Sequence, residues 1–200
     1  MSMLALSASQ FAGALGEVAD CGGATIAEAL ATEAQQKLRE AAGDAPFERA
    51  PERVGQVEQD VEVFSLGPGT RPLPRLQPIV SLTDAYVAFV REQTPWLADF
   101  EATHIDVQRY GRSSRGITPH RDGRRFVKLI SVFALGDPAE LTLCRDRQGT
   151  PVRRFRLTSG ALFLLRAPGF DGRDEPGPLH AVSGPMGELR YSIGIRMERR

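Results

Sequence analysis

The chain has 200 residues, with 25 Lys+Arg against 25 Asp+Glu, 42% apolar residues, 20 Gly, 14 Pro and 2 Cys. That length suits one domain built on a single core, and an ordinary apolar content with zero net charge excludes a disordered chain, a collagen-like repeat and a uniformly basic nucleic-acid coat. The neutral total conceals an uneven distribution. Residues 101–200 carry 18 Lys+Arg and 11 Asp+Glu, so an anionic ligand is expected on the second half.

Cys21 and Cys144 are too few for a disulfide framework and are not spaced as a zinc or redox pair, which points to a reducing compartment. The N-terminal stretch is mildly apolar but has no Lys or Arg before Lys37, unlike a secretory signal, and no apolar run approaches the length of a membrane span. The expectation is a cytoplasmic protein with no membrane association.

In chain order, residues 25–42 are rich in helix formers and predict the first strong helix, ending near Gly43 and Pro46. Asp60 to Leu66 alternates Val61 and Val63 with acids, the pattern of a half-buried strand. Residues 67–78 carry four prolines and read as a loop bordering a pocket. Ser81 and Asp84 predict a capping box for a second helix that turns Leu82, Tyr86, Phe89 and Val90 to a core. From about residue 103 the pattern changes to short strands separated by turns: 104–110, 127–135, 139–144, 153–157, 160–166, 179–183 and 189–197. Helices first and strands later predict an α+β, mainly β chain, a barrel or jelly roll buttressed by N-terminal helices.

The chain has three histidines, at 104, 120 and 180. His120 and Asp122 stand two apart, so on an extended backbone both side chains point the same way; His180 opens another strand. Two imidazoles and one carboxylate on one face of a metal, with the opposite positions open, are the donor set of non-haem Fe(II) oxygen chemistry, whereas structural zinc closes its shell with a fourth protein ligand. The alternative is a turn pair and an unrelated strand histidine. His104 and Asp106 repeat the same His-x-Asp spacing, and composition alone does not choose between the pairs. In the last strand, Arg190, Ser192, Gly194 and Arg196 share one face and Leu189, Tyr191, Ile193 and Ile195 the other. Arginines turned inward need an anion, and a dicarboxylate suits two guanidinium forks; turned outward they need only water. Gly194 favours the close approach of a ligand or another strand.

The residues Gln108-Arg109-Tyr110, His120-Arg121-Asp122, Ser131 to Gly136, His180 and Arg190 to Arg196 follow the order and approximate spacing of the Fe(II)/2-oxoglutarate dioxygenases. They most resemble the AlkB-like branch, through the Arg-x-Ser-x-x-x-Arg strand. The resemblance covers roughly residues 103–197. It implies a double-stranded β-helix, Fe(II) held by His120, Asp122 and His180, and 2-oxoglutarate held at its two carboxylates by Arg190 and Arg196. Tyr110, Gln108 and Ser192 would line the cosubstrate, and O2 would be the oxidant. Residues 1–100 would be helical support and substrate-lid region, and 101–200 the catalytic core of one domain.

Two departures bear on substrate. After Asp122 the chain continues Gly123-Arg124-Arg125, where AlkB-type dealkylases tend to place further acids, and the first half is acidic although a base-flipping enzyme wants a basic, aromatic approach. Against this, Arg109, Arg112, Arg115, Arg121, Arg124, Arg125 and Lys128 crowd the site region and could meet phosphate or simply be solvated. The Gly- and Pro-rich segment 167–180 is a second lid candidate. The preferred reading is hydroxylation of a small molecule or a protein side chain. Oxidative dealkylation of a methylated base comes second, and a β-barrel binding module without turnover third.

Overall fold

The computed structural model describes residues 2–67 and 73–199. Three helices, α1 (Ala8–Cys21), α2 (Thr32–Gly43) and α3 (Gln77–Arg91), precede or interrupt a set of thirteen strands among the described residues. The first five strands are β1 (Gly23–Ile26), β2 (Glu48–Arg49), β3 (Arg53–Val54), β4 (Val57–Asp60) and β5 (Glu62–Leu66). The other eight are β6 (His104–Gly111), β7 (Gly116–His120), β8 (Phe126–Gly136), β9 (Ala139–Cys144), β10 (Pro151–Leu157), β11 (Leu162–Arg166), β12 (Leu179–Val182) and β13 (Leu189–Glu198). They form two antiparallel sheets, ordered β1-β11-β8-β13-β6-β5-β2 and β10-β9-β12-β7-β4-β3, the two-sheet jelly roll expected of the sequence.

Two apolar layers hold the sheets in place. The helices lay Phe11, Val18, Leu38, Leu82 and Tyr86 on the outer face of the larger sheet, against Leu129, Phe133, Leu162, Leu164, Ile193 and Ile195. Between the sheets, Ile130, Leu141, Leu143, Phe155, Leu157, Phe163 and Leu165 form a second layer. β8 and β11 are therefore covered on both faces, which is why their sequences run apolar without alternation. β13 sends Tyr191, Ile193 and Ile195 to the helix layer, and Arg190, Ser192 and Arg196 to the space between the sheets. The two arginines are thus buried, at 1% and 8% exposure.

Several boundaries differ from the sequence pattern. α1 falls in the stretch read as merely apolar; its Ser7 side chain accepts the Gln10 backbone N–H, the Gln10 side chain returns to Ser7, and Gly22 ends the helix at φ +90°. Residues 25–31 are not helical. Thr25 and Ile26 lie in β1, paired with Phe163 and Leu162 of β11, because an available sheet edge outweighs the weak helix preference of a β-branched pair. The strand expected over 60–66 is divided between β4 and β5. α3 starts at Gln77, after a 3₁₀ turn at Pro74–Leu76, so Ser81 is already inside the helix and caps nothing; Pro78 sits in the first turn, where no N–H is needed. Of the proposed lid at 67–78, residues 68–72 lie outside the described residues. No helix among the described residues is long and apolar enough to cross a membrane.

Candidate metal and cosubstrate site

The residues of the site arrive from four strands, β6, β7, β12 and β13, and one turn. β12 pairs antiparallel with β7 so that His180 lies opposite His120, which closes the 60-residue gap between them. β7 is a short strand that the sequence pattern had not picked out; His120 is its last residue and Asp122 follows in the turn to β8. Gly116 allows the two strands to close up: it has φ +81°, and a Cβ there would stand 2.0 Å from the Val182 carbonyl oxygen.

The ligating atoms of His120, Asp122 and His180 lie within 4.8 Å of one another. His120 Nδ1 is 2.9 Å from the Thr118 carbonyl and His180 Nδ1 is 3.2 Å from the Pro178 carbonyl. A carbonyl only accepts, so in the neutral ring each Nδ1 carries the proton and each Nε2 the lone pair, the tautomer a metal ligand needs. The His180 Nε2 lies 3.4 Å from Asp122 Oδ2. Burial and the neighbouring His120 push the His180 pKa down to about 4, so the imidazole is neutral at physiological pH. Burial alone would raise the Asp122 pKa, but Arg196 and the two histidines hold it below the ordinary carboxylate range.

Gln108, Tyr110, His120, Asp122, His180, Arg190, Ser192 and Arg196 all line one cavity between the sheets, whose other wall is apolar: Ile117, Ile130, Val132, Leu141, Phe163, Leu165 and Val182. Antiparallel pairing of β6 with β13 sets Tyr110 opposite Arg190 and Gln108 opposite Ser192. Gln108 Oε1 accepts from Tyr110 Oη at 2.7 Å and from Ser192 Oγ at 3.1 Å. Arg190 packs over the Tyr110 ring at 4.9 Å, and its Nε and Nη1 are buried without a hydrogen-bond partner. Desolvation pushes its pKa down, against the opposing Tyr110 hydroxyl. An orphaned guanidinium at such depth is costly unless an anion completes it, so the residues present fit a carboxylate-bearing ligand beside a divalent metal.

The other His-x-Asp pair is placed differently. His104 Nε2 faces Asp106 Oδ1 at 3.0 Å, Ser65 Oγ donates to the same oxygen at 2.6 Å, and Arg196 Nη1 donates to Oδ2 at 2.8 Å. Burial would raise the Asp106 pKa, but these donors hold it below the ordinary range. Both oxygens are engaged within the chain. Gly194 also has an internal explanation, since a Cβ there would stand 2.7 Å from Arg196 Nη1; the group that approaches it is the strand's own guanidinium.

Much of the basic stretch is matched in place. Arg109 pairs with Glu62 at 2.7 Å, Arg112 with Glu188 and Arg125 with Glu198 at 3.0 Å each, and Lys128 with Asp99, while Arg121 Nε donates to the Gly177 carbonyl at 2.9 Å. The sequence pattern had missed the carbonyls of Thr118 and Pro178 and the apolar wall. The alternation of Leu141 with Glu140 and Thr142 in β9 is a signal of that wall, and backbone acceptors leave none.

No family model matches the sequence, and no curated protein matches it. Solved structures do match by shape. A prolyl hydroxylase from Trichoplax adhaerens, in complex with a hypoxia inducible factor oxygen degradation domain peptide fragment, superposes with a TM-score of 0.65 at 13% identity over 96% of this chain and 90% of that one. A Pseudomonas putida prolyl-4-hydroxylase gives 0.59 at 14% identity, over 95% and 100% of the two chains. A 2OG-Fe(II) oxygenase family oxidoreductase from Burkholderia pseudomallei gives 0.64 at 13%, over 100% and 94%. At these identities the likeness establishes the fold: this chain has the jelly-roll architecture of the 2-oxoglutarate/Fe(II) oxygenases.

Proposed function

We propose that the protein is a non-haem Fe(II)- and 2-oxoglutarate-dependent dioxygenase that hydroxylates a C–H bond of a small molecule or a protein side chain. The observation that carries this reading is the convergence, on one cavity, of the His120, Asp122 and His180 donors with the buried Arg190, whose Nε and Nη1 have no hydrogen-bond partner. His120 and His180 would offer Nε2 and Asp122 a carboxylate oxygen to Fe(II), a three-donor set that holds the ion without closing its shell with protein ligands. When bound, the metal supplies oxidation of a C–H bond by O2, coupled to decarboxylation of 2-oxoglutarate to succinate and CO2. Arg190 would receive one carboxylate of the cosubstrate on its unpaired N–H groups, with Tyr110, Gln108 and Ser192 fixing the ligand beside it, and Arg196, whose Nε and Nη1 are held by Asp122 and Asp106, would lie at the metal-proximal end. The apolar wall keeps water from the reacting groups.

A protein side chain as substrate draws support from the fold shared with a hydroxylase held in complex with a peptide fragment. The ion pairs of Arg109, Arg112 and Arg125 leave fewer charges for phosphate, so dealkylation of a methylated base has less support. Anaerobic addition of Fe(II) and then 2-oxoglutarate is the test. A visible metal-to-ligand absorption band, lost in His120→Ala and Asp122→Ala, is expected; wild-type protein without the band, or variants that keep it, would overturn the reading. A succinate-release screen over peptides, amino acids, metabolites and oligonucleotides then identifies the substrate.

A further inference from the structure

The second His-x-Asp pair takes no part in the proposed site, yet it is tied to it through one side chain. We infer that Asp106 is a positioning residue that anchors Arg196, so that the guanidinium holds one oxygen of Asp122 and leaves the other free for the metal. The inference rests on the reading of His120, Asp122 and His180 as an iron site.

The contacts form a continuous line. Asp106 Oδ2 accepts from Arg196 Nη1 at 2.8 Å, and Arg196 Nε donates to Asp122 Oδ1 at 3.2 Å. Asp122 Oδ2, the other oxygen, faces His180 Nε2 at 3.4 Å. An arginine beside a lone carboxylate prefers the two-bond fork, which would occupy both oxygens. Here the fork is divided between two carboxylates, and that division is what keeps Asp122 Oδ2 open. Asp106 can hold its share because it is itself fixed: Ser65 Oγ and His104 Nε2 engage its Oδ1. The backbone provides the space. Asp106 lies opposite Gly194 across the β6–β13 ladder, and only a residue without Cβ lets the Arg196 guanidinium fold back over its strand, a Cβ at 194 falling 2.7 Å from Nη1 and 3.3 Å from Cζ.

The prediction is coupling through Arg196. Mn(II), a redox-inert stand-in for Fe(II), is titrated into the full chain, with the free ion followed by electron paramagnetic resonance and folding checked by thermal melts. Wild-type protein is expected to bind one Mn(II), lost in His120→Ala. Asp106→Asn is expected to weaken binding about ten- to a hundredfold, the usual effect of removing a group that orients a ligand, but to have less than a twofold effect in an Arg196→Met background. Gly194→Ala displaces the guanidinium without changing any charge, and is expected to weaken Mn(II) about tenfold; it serves as well should Asp106→Asn fail to fold. Wild-type binding with Asp106→Asn and Gly194→Ala unaffected overturns this inference alone, as does an equal Asp106→Asn effect in both backgrounds, which would mark a simple charge effect. A wild-type chain that binds no Mn(II) overturns the site reading and the inference together.

Discussion

Arg190 is the side chain whose placement stability explains least. It is 1% exposed, two of its three nitrogens lack a partner, and an unpaired buried polar group costs roughly 1–3 kcal/mol. On the function proposed above, binding of a carboxylate offsets that cost. Arg190→Met, which fills similar space without charge, is therefore expected to leave the melting temperature of the metal-free protein unchanged or raise it by about 2–4 °C per kcal/mol recovered. The same change should weaken 2-oxoglutarate binding to the Mn(II)-loaded protein about tenfold or more. Calorimetric titration beside a thermal melt checks both, and a destabilised variant with normal affinity would assign Arg190 to the core. The alternation of β13 made the shared face of the two arginines legible in the sequence, and the structure turned that face inward. The identity of their charge partners was not, because Asp106 and Asp122 reach Arg196 across 90 and 74 residues.

Strand pairing decides the geometry at the level of elements. The His120–His180 register depends on β7 and β12 closing on each other where Gly116 faces Val182. Gly116→Ala combines a φ of +81° with a Cβ placed inside a carbonyl contact, and is expected to cost more than about 1–3 kcal/mol. Because β12 carries His180, Mn(II) affinity should fall with the melting temperature; a variant that melts early but binds normally would show the register to be independent of this contact. The strands 104–110, 139–144 and 153–157 were readable from pattern to within two residues, since their apolar alternation is local. β1 and β7 were not. Each has a short sequence with no strong period and exists because a partner strand offers its edge, Leu162–Leu165 in one case and His180–Val182 in the other.

For the molecule as a whole, the acid side of the stability profile carries the signature of these buried carboxylates. Asp106 has a folded pKa below the ordinary carboxylate value, so the unfolded chain takes up its proton first as pH falls. The contribution is complete above the ordinary range and is lost as pH drops through the lowered folded value. Thermal melts from pH 7 to pH 3 without metal should therefore show wild type above Asp106→Asn at neutral pH, with the gap closing toward the acid end; a gap constant with pH would exclude the carboxylate charge as its source.

By itself the sequence determined the chemical inventory: three histidines, two arginines on one face of the last strand seven positions apart counting both, a mainly β chain, and a positive second half. Those follow from residue type and from the two-residue period of an extended backbone, which are local properties. Only the tertiary structure decided which His-x-Asp pair faces a possible metal. His104–Asp106 and His120–Asp122 have the same spacing, but the first lies on a strand beside β13, where Arg196, Ser65 and His104 consume both carboxylate oxygens. The second ends a strand opposite His180, with one carboxylate oxygen turned to that histidine. The distinction lies in what each carboxylate meets across the sheet, and hydrogen bonds between residues so distant along the chain are fixed by packing.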